Sequence, residues 1–201
     1  MEKTVVFRDF EERDIDFIYR CKNDEKLNSM IVGQFKPYSY EDAVKWVHGC
    51  MGEHDTYKFW AIATNDEDRR IVGWTAISQI DHNNKSASTH SLVIADPDYN
   101  DGFAWLEAGY FLLEYAFEVL HLHRLYGVSL VGHAMSNKVA DLFFYQVERI
   151  FRQAAYKNDH YYDLQYIGIL ESEYYSHKEA GDYEMKKIIK RLRQIRKSTK
   201  Q

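Results

Sequence analysis

Between residues 85 and 130 the spacing of apolar positions changes from a strand pattern to a helix pattern and back. Residues 89–95 are short, β-branched and apolar, and Pro97 ends this predicted strand because proline cannot donate to a ladder. Further on, a period of three to four residues predicts a helix over residues 102–120, and a strand follows to about residue 130. The periodic apolar residues of that helix are Leu106, Tyr110, Leu113, Phe117 and Leu120. The whole segment is long enough to form a βαβ unit.

The rest of the chain carries shorter patterns of the same two kinds. Helical spacing occurs at residues 11–23 and again after Ser39, where Ser39 and Asp42 have the spacing of a capping box. Strand patterns occur at residues 4–8, 57–64 and 70–80, and on both sides of a turn at residues 158–159. Short polar turns between the early strands indicate an antiparallel meander that leads into the βαβ unit.

A polar turn containing glycine connects the first strand of this unit to its helix, at residues 100–105. A helix that begins after such a turn offers unpaired backbone N–H groups and a partial positive charge. Those are the requirements for holding a phosphate or pyrophosphate. A plain connection between a strand and a helix has the same spacing, so the spacing leaves both interpretations open.

Composition favours one soluble domain. The 201 residues are 45% hydrophobic, which is enough for a single core. No apolar run approaches the roughly 18 residues of a membrane span, and the charged start, MEKTVVFRDFEERD, does not resemble a signal peptide. Cys21 and Cys50 lack the spacing of a metal site or a disulfide framework. We expect a cytoplasmic protein with no metal and no membrane contact.

Charge is distributed unevenly along the chain. Residues 185–201 contain eight Lys or Arg and no acid, so the net charge of −5 divides into +8 on this tail and −13 on the remainder. An acidic body is suited to attract cationic amines. The tail has an apolar helical face and is suited to dock on an acidic surface of a second subunit or on RNA, including the ribosome. A solvated, partly frayed terminal helix is the alternative.

Two long stretches resemble one known family. They are ADPDYNDGFAWLEAGYFLLEYAFEVLHLHRLY and YKNDHYYDLQYIGILESEY. Both are similar to the GNAT N-acyltransferases, in the branch of the ribosomal-protein N-terminal acetyltransferases and spermidine N-acetyltransferases. The resemblance covers nearly all of residues 4–175. It implies an α/β GNAT fold, in which helices flank a mixed central sheet of about seven strands. We place the domain at residues 1–178 and a basic helical tail at residues 179–201.

The resemblance also implies an activity, which is transfer of an acetyl group from acetyl-CoA to a primary amine. Candidate acceptors are a polyamine, a protein N-terminus or an amino sugar, and we expect a homodimer or larger assembly. Backbone N–H groups of the fourth strand would hold the pantetheine arm and polarise the thioester carbonyl. The implied coenzyme contacts are Val93, Ile94, Ala95, Asn100, Asp101, Gly102, Phe103, Ala104, Trp105 and Asn137.

The chain departs from the family's pyrophosphate loop, whose pattern is Gln/Arg-x-x-Gly-x-Gly/Ala. Alignment without gaps from Pro97 puts Phe103 and Trp105 on the two glycine positions, whereas a shifted register puts Gly102 and Ala104 there. Glycine lets the backbone approach the pyrophosphate closely, while Phe and Trp side chains would crowd it.

His90 is the predicted catalytic base. It stands seven residues before the proline, where the spermidine branch carries a glutamate beside the acceptor amine. A neutral imidazole can accept the proton of an ammonium, directly or through water. The structural alternative is a histidine that is hydrogen-bonded within a strand face.

The predicted catalytic acid is Tyr145, which stands near a missing family tyrosine. The family pattern is Asn-x-x-Ala-x-x-Leu-Tyr-x-x-x-Gly-Phe. Reading forward from Asn137 places Phe144 at the tyrosine position, and reading back from Tyr156 places Ala140 there. Neither register supplies a tyrosine, and core packing is the alternative role for Tyr145. A GNAT-fold protein that has lost catalysis and acts as a binding or regulatory module is therefore a second hypothesis.

Overall fold

The structure is a computed structural model that describes residues 4–29, 31–100 and 102–198, without the side chains of His90 and residues 195–198. Seven strands form one mixed sheet in the order β1-β2-β3-β4-β5-β7-β6. Their bounds are β1 Val5–Arg8, β2 Tyr57–Thr64, β3 Ile71–Asp81, β4 Ser86–Ile94, β5 Arg124–Leu130, β6 Gln146–Lys157 and β7 His160–Leu170. Only β4 and β5 pair in parallel among these neighbours. The predicted meander and βαβ unit are confirmed.

The described residues contain seven α-helices. Their bounds are α1 Ile15–Lys22, α2 Glu25–Asn28, α3 Tyr40–Cys50, α4 Phe103–Glu114, α5 Ala134–Leu142, α6 Glu171–Glu179 and α7 Met185–Ser198. The predicted capping box of α3 is confirmed, because the Asp42 N–H donates to Ser39 Oγ and the Ser39 N–H donates to the Asp42 carboxylate. None of the helices described is both long and apolar enough to cross a membrane.

Helices cover both faces of the sheet. Side chains alternate between the two faces along each strand, so Trp74 of β3 packs against α1 and α3, whereas Ile77 packs against the helices of the opposite face. The core on the α1 and α3 face includes Ile15, Ile18, Ala43, Val47, Trp74 and Val93. The larger core on the other face includes Leu113, Phe117, Phe143, Ile169, Tyr174 and Ile188.

The basic tail begins by packing against this larger core. Ile188 of α7 is fully buried there, and the Arg191 guanidinium lies 4.1 Å from the ring centre of Phe144. The same guanidinium donates hydrogen bonds to the carbonyl oxygens of Leu142 and Asp182. The inner face of α7 is therefore packed, in contrast to the solvated and frayed alternative. A boundary between residues 178 and 179 stays a prediction.

Candidate functional site

A gap opens between the two parallel strands at the centre of the sheet. β4 and β5 pair only at residues 86–88 and 124–126, and beyond these positions the strands separate. A cavity of about 130 Å³ lies in the gap, between the sheet and helices α4 and α5. Its lining includes Thr89 and Ser91 of β4, Val128 and Ser129 of β5, Trp105 of α4 and Tyr145.

A β-bulge explains why β4 separates from β5. Trp74 pairs with Val93 and Ala76 pairs with His90, so two residues of β4 stand opposite one residue of β3. Ser91, within the bulge, has a φ of 55°, in the left-handed region. A bulge bends its strand and increases the local twist. It therefore directs the end of β4 away from β5.

His90 lies in the backbone of β4 immediately before this bulge. Its side chain lies outside the part of the structure that is described. The prediction that its imidazole acts as the base therefore stays a prediction. The backbone position is adjacent to Ser91, which lines the cavity.

The backbone of β4 directs only one of the three predicted pantetheine amides, Val93, Ile94 and Ala95, toward the gap. The Ala95 N–H donates to the Val72 carbonyl at 2.9 Å, so it is not free to bind pantetheine as predicted. Successive residues of a strand direct their backbone N–H and C=O groups to opposite edges of that strand. The backbone groups of Val93 therefore point toward Trp74 of β3, and those of Ile94 point away from β3. They point to the edge that faces β5. Of the three predicted amides, the Ile94 amide is the one directed at the gap.

The loop before α4 supports the shifted register of the pyrophosphate motif. Gly102 is the N-cap of α4 and has a φ of 108°, a left-handed conformation that glycine adopts without strain. Ala104 is 1% exposed and packs into the core, so its small side chain leaves room beside the loop. Gly102 and Ala104 therefore suit the two glycine positions. The predicted contact Asp101 lies outside the described residues.

Trp105 closes the loop on itself. Its indole Nε1–H donates to Asn100 Oδ1 at 2.9 Å, and the ring lines the cavity in the gap. α4 begins after its Gly102 N-cap, next to this contact. The partial positive charge of a helix N-terminus suits an anion, and the indole stands at its edge.

The C-terminus of α5 indicates which residue of this chain stands at the position of the family's tyrosine. Phe144 follows the helix with a φ of 62°, and the Tyr145 N–H donates to the Ala140 carbonyl at 3.0 Å. This is a Schellman-type helix end, whose left-handed position is usually glycine. Phe144 therefore occupies the family's glycine position, and Ala140 occupies the tyrosine position. This helix end therefore favours the reading back from Tyr156 over the forward reading from Asn137.

Tyr145 and Asn137 both lie around the gap. Tyr145 lines the cavity, and burial raises the pKa of its hydroxyl well above the usual range, so the group stays protonated at neutral pH. Asn137 Oδ1 accepts a hydrogen bond from Gln165 Nε2, which also donates to Ser129 Oγ. The Asn137 carbonyl oxygen is thus engaged by the protein. The coenzyme role of Asn137 stays a prediction.

On the opposite face of the sheet, a lysine joins the β6–β7 hairpin to the loop before α3. Lys157 is 3% exposed, and its ammonium donates to the carbonyl oxygens of Asn28, Ile31 and Gly33 at 2.7–2.9 Å. Sequence reasoning missed this contact, because a lysine beside a hairpin turn reads as a solvated residue. Only the resemblance to the Tyr-Lys-Asn motif marked the position.

The two cysteines are structural. Both are buried, and burial raises the pKa of each thiol to about 12. A thiol with such a pKa is protonated at neutral pH and is a poor nucleophile and metal ligand. Across the described ranges, no group of three His, Cys, Asp or Glu side chains is placed to hold a metal ion.

Comparisons with known proteins agree with this architecture. A family profile described as an acetyltransferase (GNAT) domain matches residues 4–141. An uncharacterized N-acetyltransferase of Bacillus subtilis (strain 168), YnaD, is 26% identical over 176 residues, covering 86% of this chain and 96% of that protein.

Solved structures are similar over most of the chain. The spermidine N-acetyltransferase of Vibrio cholerae, in complex with CoA and spermine, superposes with a TM-score of 0.74 at 20% identity and covers 87% of this chain and 99% of that one. A GNAT-family acetyltransferase of Bacillus anthracis gives a TM-score of 0.71 at 21% identity, over 86% and 98% of the two chains. These similarities confirm the predicted α/β GNAT fold. The chain belongs to the GNAT family of acetyltransferases.

Proposed function

We propose that this protein transfers an acetyl group from acetyl-CoA to a primary amine. The observation that carries the proposal is the gap between β4 and β5, which the Ile94 amide edge faces, in a sheet whose β4 leads into the N-terminus of α4. A backbone edge suits the amides of a pantetheine arm, and a helix N-terminus suits a pyrophosphate. The similar Vibrio cholerae enzyme, whose structure contains CoA, supports the coenzyme part of the proposal.

Acetyl-CoA supplies an activated acyl group on a thiolate leaving group. The protein's part is to position the thioester and to move two protons. The Ile94 N–H is placed to stabilise negative charge on the thioester oxygen as the amine attacks. The His90 imidazole accepts the proton that the acceptor ammonium must lose, and the Tyr145 hydroxyl donates a proton to the departing sulfur.

Replacing Tyr145 with phenylalanine should slow turnover about ten-fold. The loss is smaller than the 10²–10⁴ of a strong general acid, because a CoA thiolate leaves readily without a proton. The measurement is kcat by thiol release, with Tyr161→Phe as the control because Tyr161 is 65% exposed on the hairpin. Equal kcat values for Tyr145→Phe and the unaltered protein would remove Tyr145 from the mechanism.

Replacing Trp105 with alanine should tighten acetyl-CoA binding about five-fold, or roughly 1 kcal/mol. The indole lines the cavity and bonds to Asn100, so its removal opens the approach to the α4 N-terminus. Calorimetric titration measures the change. Asn100→Ala is the companion variant, which frees the indole without removing it. Weaker binding to Trp105→Ala would show that the indole contacts the coenzyme instead of crowding it.

We also propose a homodimer or larger assembly in the cytoplasm. β6 is the edge strand of the sheet and is exposed along most of its length, with Val147, Ile150 and Phe151 between 41% and 57% exposed. A long edge with exposed apolar side chains is a typical pairing surface. The outward face of α7 carries Lys186, Lys190 and Arg193, which suits contact with RNA or the ribosome.

A catalytically inactive binding module is the second candidate function, favoured by Ala140 at the family's tyrosine position. Thiol release from acetyl-CoA in the presence of a panel of primary amines separates the two candidates. The enzyme proposal predicts amine-dependent release of CoA and an acetylated product that mass spectrometry detects. Binding of acetyl-CoA with no acetylated product from any amine would favour the binding module.

A further inference from the structure

An unpaired lysine lies among aromatic rings beside the centre of the sheet. Lys22 ends α1, and its ammonium nitrogen lies 4.5 Å from the ring centre of Trp46, 5.3 Å from that of Trp74 and 5.7 Å from that of Tyr38. Burial lowers the pKa of Lys22, and the neighbouring groups that act against this are Cys50 and Cys21. Within the described part of the chain, its ammonium makes cation–π contacts and no ion pair with a carboxylate.

The cleft beside Lys22 is basic. A cavity of about 270 Å³ lies between Lys22, the loop at residues 31–36 and the hairpin lysine Lys157. Three lysines and no described carboxylate line it, the third lysine being Lys36. Lys157 already donates to three carbonyl oxygens, whereas the ammonium groups of Lys22 and Lys36 have no such partner among the residues that the structure describes.

Three aspartates on the neighbouring helices accept hydrogen bonds from groups outside the cleft lining. Asp24 caps α2 by accepting from the Leu27 N–H, and Asp42 accepts from the Ser39 backbone and hydroxyl groups. Asp16 accepts from the Tyr40 hydroxyl. Glu25 lines the neighbouring depression, where Lys26 and Lys157 accompany it. The lining of the cleft itself therefore carries three lysines and no described carboxylate.

The aromatic cluster around Lys22 lies one strand away from the gap. Trp74, one wall of the aromatic cluster, pairs across β3 and β4 with Val93, next to the Ile94 amide that faces the gap. The coenzyme cavity lies on the face of the sheet covered by α4 and α5. The cleft lies on the other face, which α1 and α3 cover. Lys22 therefore lies on the face from which an acceptor would meet a coenzyme bound on the other side of the sheet.

We propose that the acceptor amine also carries an anionic group, a carboxylate or a phosphate, and that Lys22 is its counter-ion. This inference rests on the proposed function and narrows its acceptor class. A charge-assisted hydrogen bond would replace the cation–π contacts of the ammonium, and the aromatic rings would hold the lysine stem in place. A polyamine would instead bring positive charge against Lys22 and Lys36, which Coulomb repulsion disfavours.

Matched pairs of amines test this inference by thiol release from acetyl-CoA. Phosphoethanolamine is compared with ethanolamine, glycine with glycinamide, and spermidine serves as the polycation. The unaltered protein should prefer the anionic member of a pair by about ten-fold in kcat/KM. Lys22→Met, which keeps an unbranched apolar side chain, should remove that preference and leave the neutral amines within about two-fold.

Lys45→Met is the matched control, because Lys45 is exposed on α3 and pairs with Glu41. It should keep the preference. Equal turnover within each pair, a preference for spermidine, or a preference that survives in Lys22→Met would overturn the inference while leaving the acetyltransferase proposal intact.

A binding measurement covers the case in which no amine of the panel is acetylated. Lys22 contacts the rings of Trp46 and Trp74, so phosphoethanolamine bound to Lys22 should change the tryptophan fluorescence in a saturable way. Lys22→Met should abolish the change, and ethanolamine should not produce it. No saturable change with the unaltered protein would overturn the inference. The titration needs no acetyl-CoA, so its outcome is separate from the outcome for the proposed function.

Discussion

Replacing Gly73 with alanine should destabilise the protein by about 3 kcal/mol and weaken acetyl-CoA binding more than ten-fold. A Cβ on Gly73 would lie 2.1 Å from the Val93 carbonyl oxygen and 3.0 Å from the Ile94 Cα. Both are backbone atoms, which cannot rotate away as a flexible side chain can. β3 and β4 must therefore move apart at the pair Gly73 and Ile94, and this movement would displace the Ile94 amide that faces the gap.

Gly49→Ala is the matched control for this substitution. Gly49 lies within α3, and a Cβ there would meet no atom within 4 Å. Alanine should leave stability unchanged or raise it by about 0.5–1 kcal/mol, because glycine is the weaker helix former. Urea unfolding gives the stabilities and calorimetry gives the dissociation constants. Values for Gly73→Ala that equal those of the unaltered protein would contradict the close packing of β3 on β4.

Replacing His90 with alanine should lower kcat/KM by about 10²-fold and flatten its rise between about pH 6 and 8. The neutral imidazole is the form that accepts a proton, and its fraction increases across that range. If the residue immediately before the β4 bulge is the base, kcat/KM should rise with pH over that range. The measurement is the pH profile of kcat/KM for both proteins.

His82→Ala is the control for His90→Ala. His82 lies in the turn between β3 and β4 and bonds to the Asp55 carbonyl, away from the gap. This variant should keep both the rate and the pH dependence. A pH profile of His90→Ala that parallels that of the unaltered protein would show that another group removes the proton, and the base would have to be sought elsewhere.

The elements with strong periodic patterns could be predicted from the sequence. β2 has the predicted bounds, and the predicted helix over residues 102–120 corresponds to α4 and the π-helical turn that follows it. α6 was missed because it is short and polar and buries only Tyr174, so it carries almost no apolar period. The order of β2 to β5 follows from short turns and one crossover, which the sequence displays, whereas the insertion of β7 between β5 and β6 does not.

The details of the site depended on backbone conformations that the sequence does not display. Ser91 and Phe144 adopt left-handed conformations, which are uncommon for serine and phenylalanine and could not be predicted from the sequence. The first lies in the β4 bulge, and the second marks the end of α5 on which the alignment with the family pattern depends. The Ala95 N–H is engaged because of the register between β3 and β4. A shift of one residue would direct that N–H to the opposite edge of the strand.

The aromatic cluster around Lys22 joins residues that are far apart in the chain. Lys22 ends α1, Trp46 lies on α3 and Trp74 on β3. Each segment shows its own apolar period, and nothing in one segment indicates that it will meet the others. Such long-range side-chain contacts appear only when the helices are docked on the sheet. The resemblance to the family indicated that the coenzyme binds along β4. The lysines that line the cleft on the other face became visible only in the folded structure.

Isothermal titration of acetyl-CoA into the purified protein shows directly whether the gap binds the coenzyme. The gap, the Ile94 edge and the α4 N-terminus predict saturable binding with a Kd in the micromolar range, about −8 kcal/mol. Bound coenzyme should also raise the melting temperature, since it binds only the folded state. No detectable heat, together with no thermal shift at millimolar acetyl-CoA, would contradict the account and leave the fold without its proposed coenzyme.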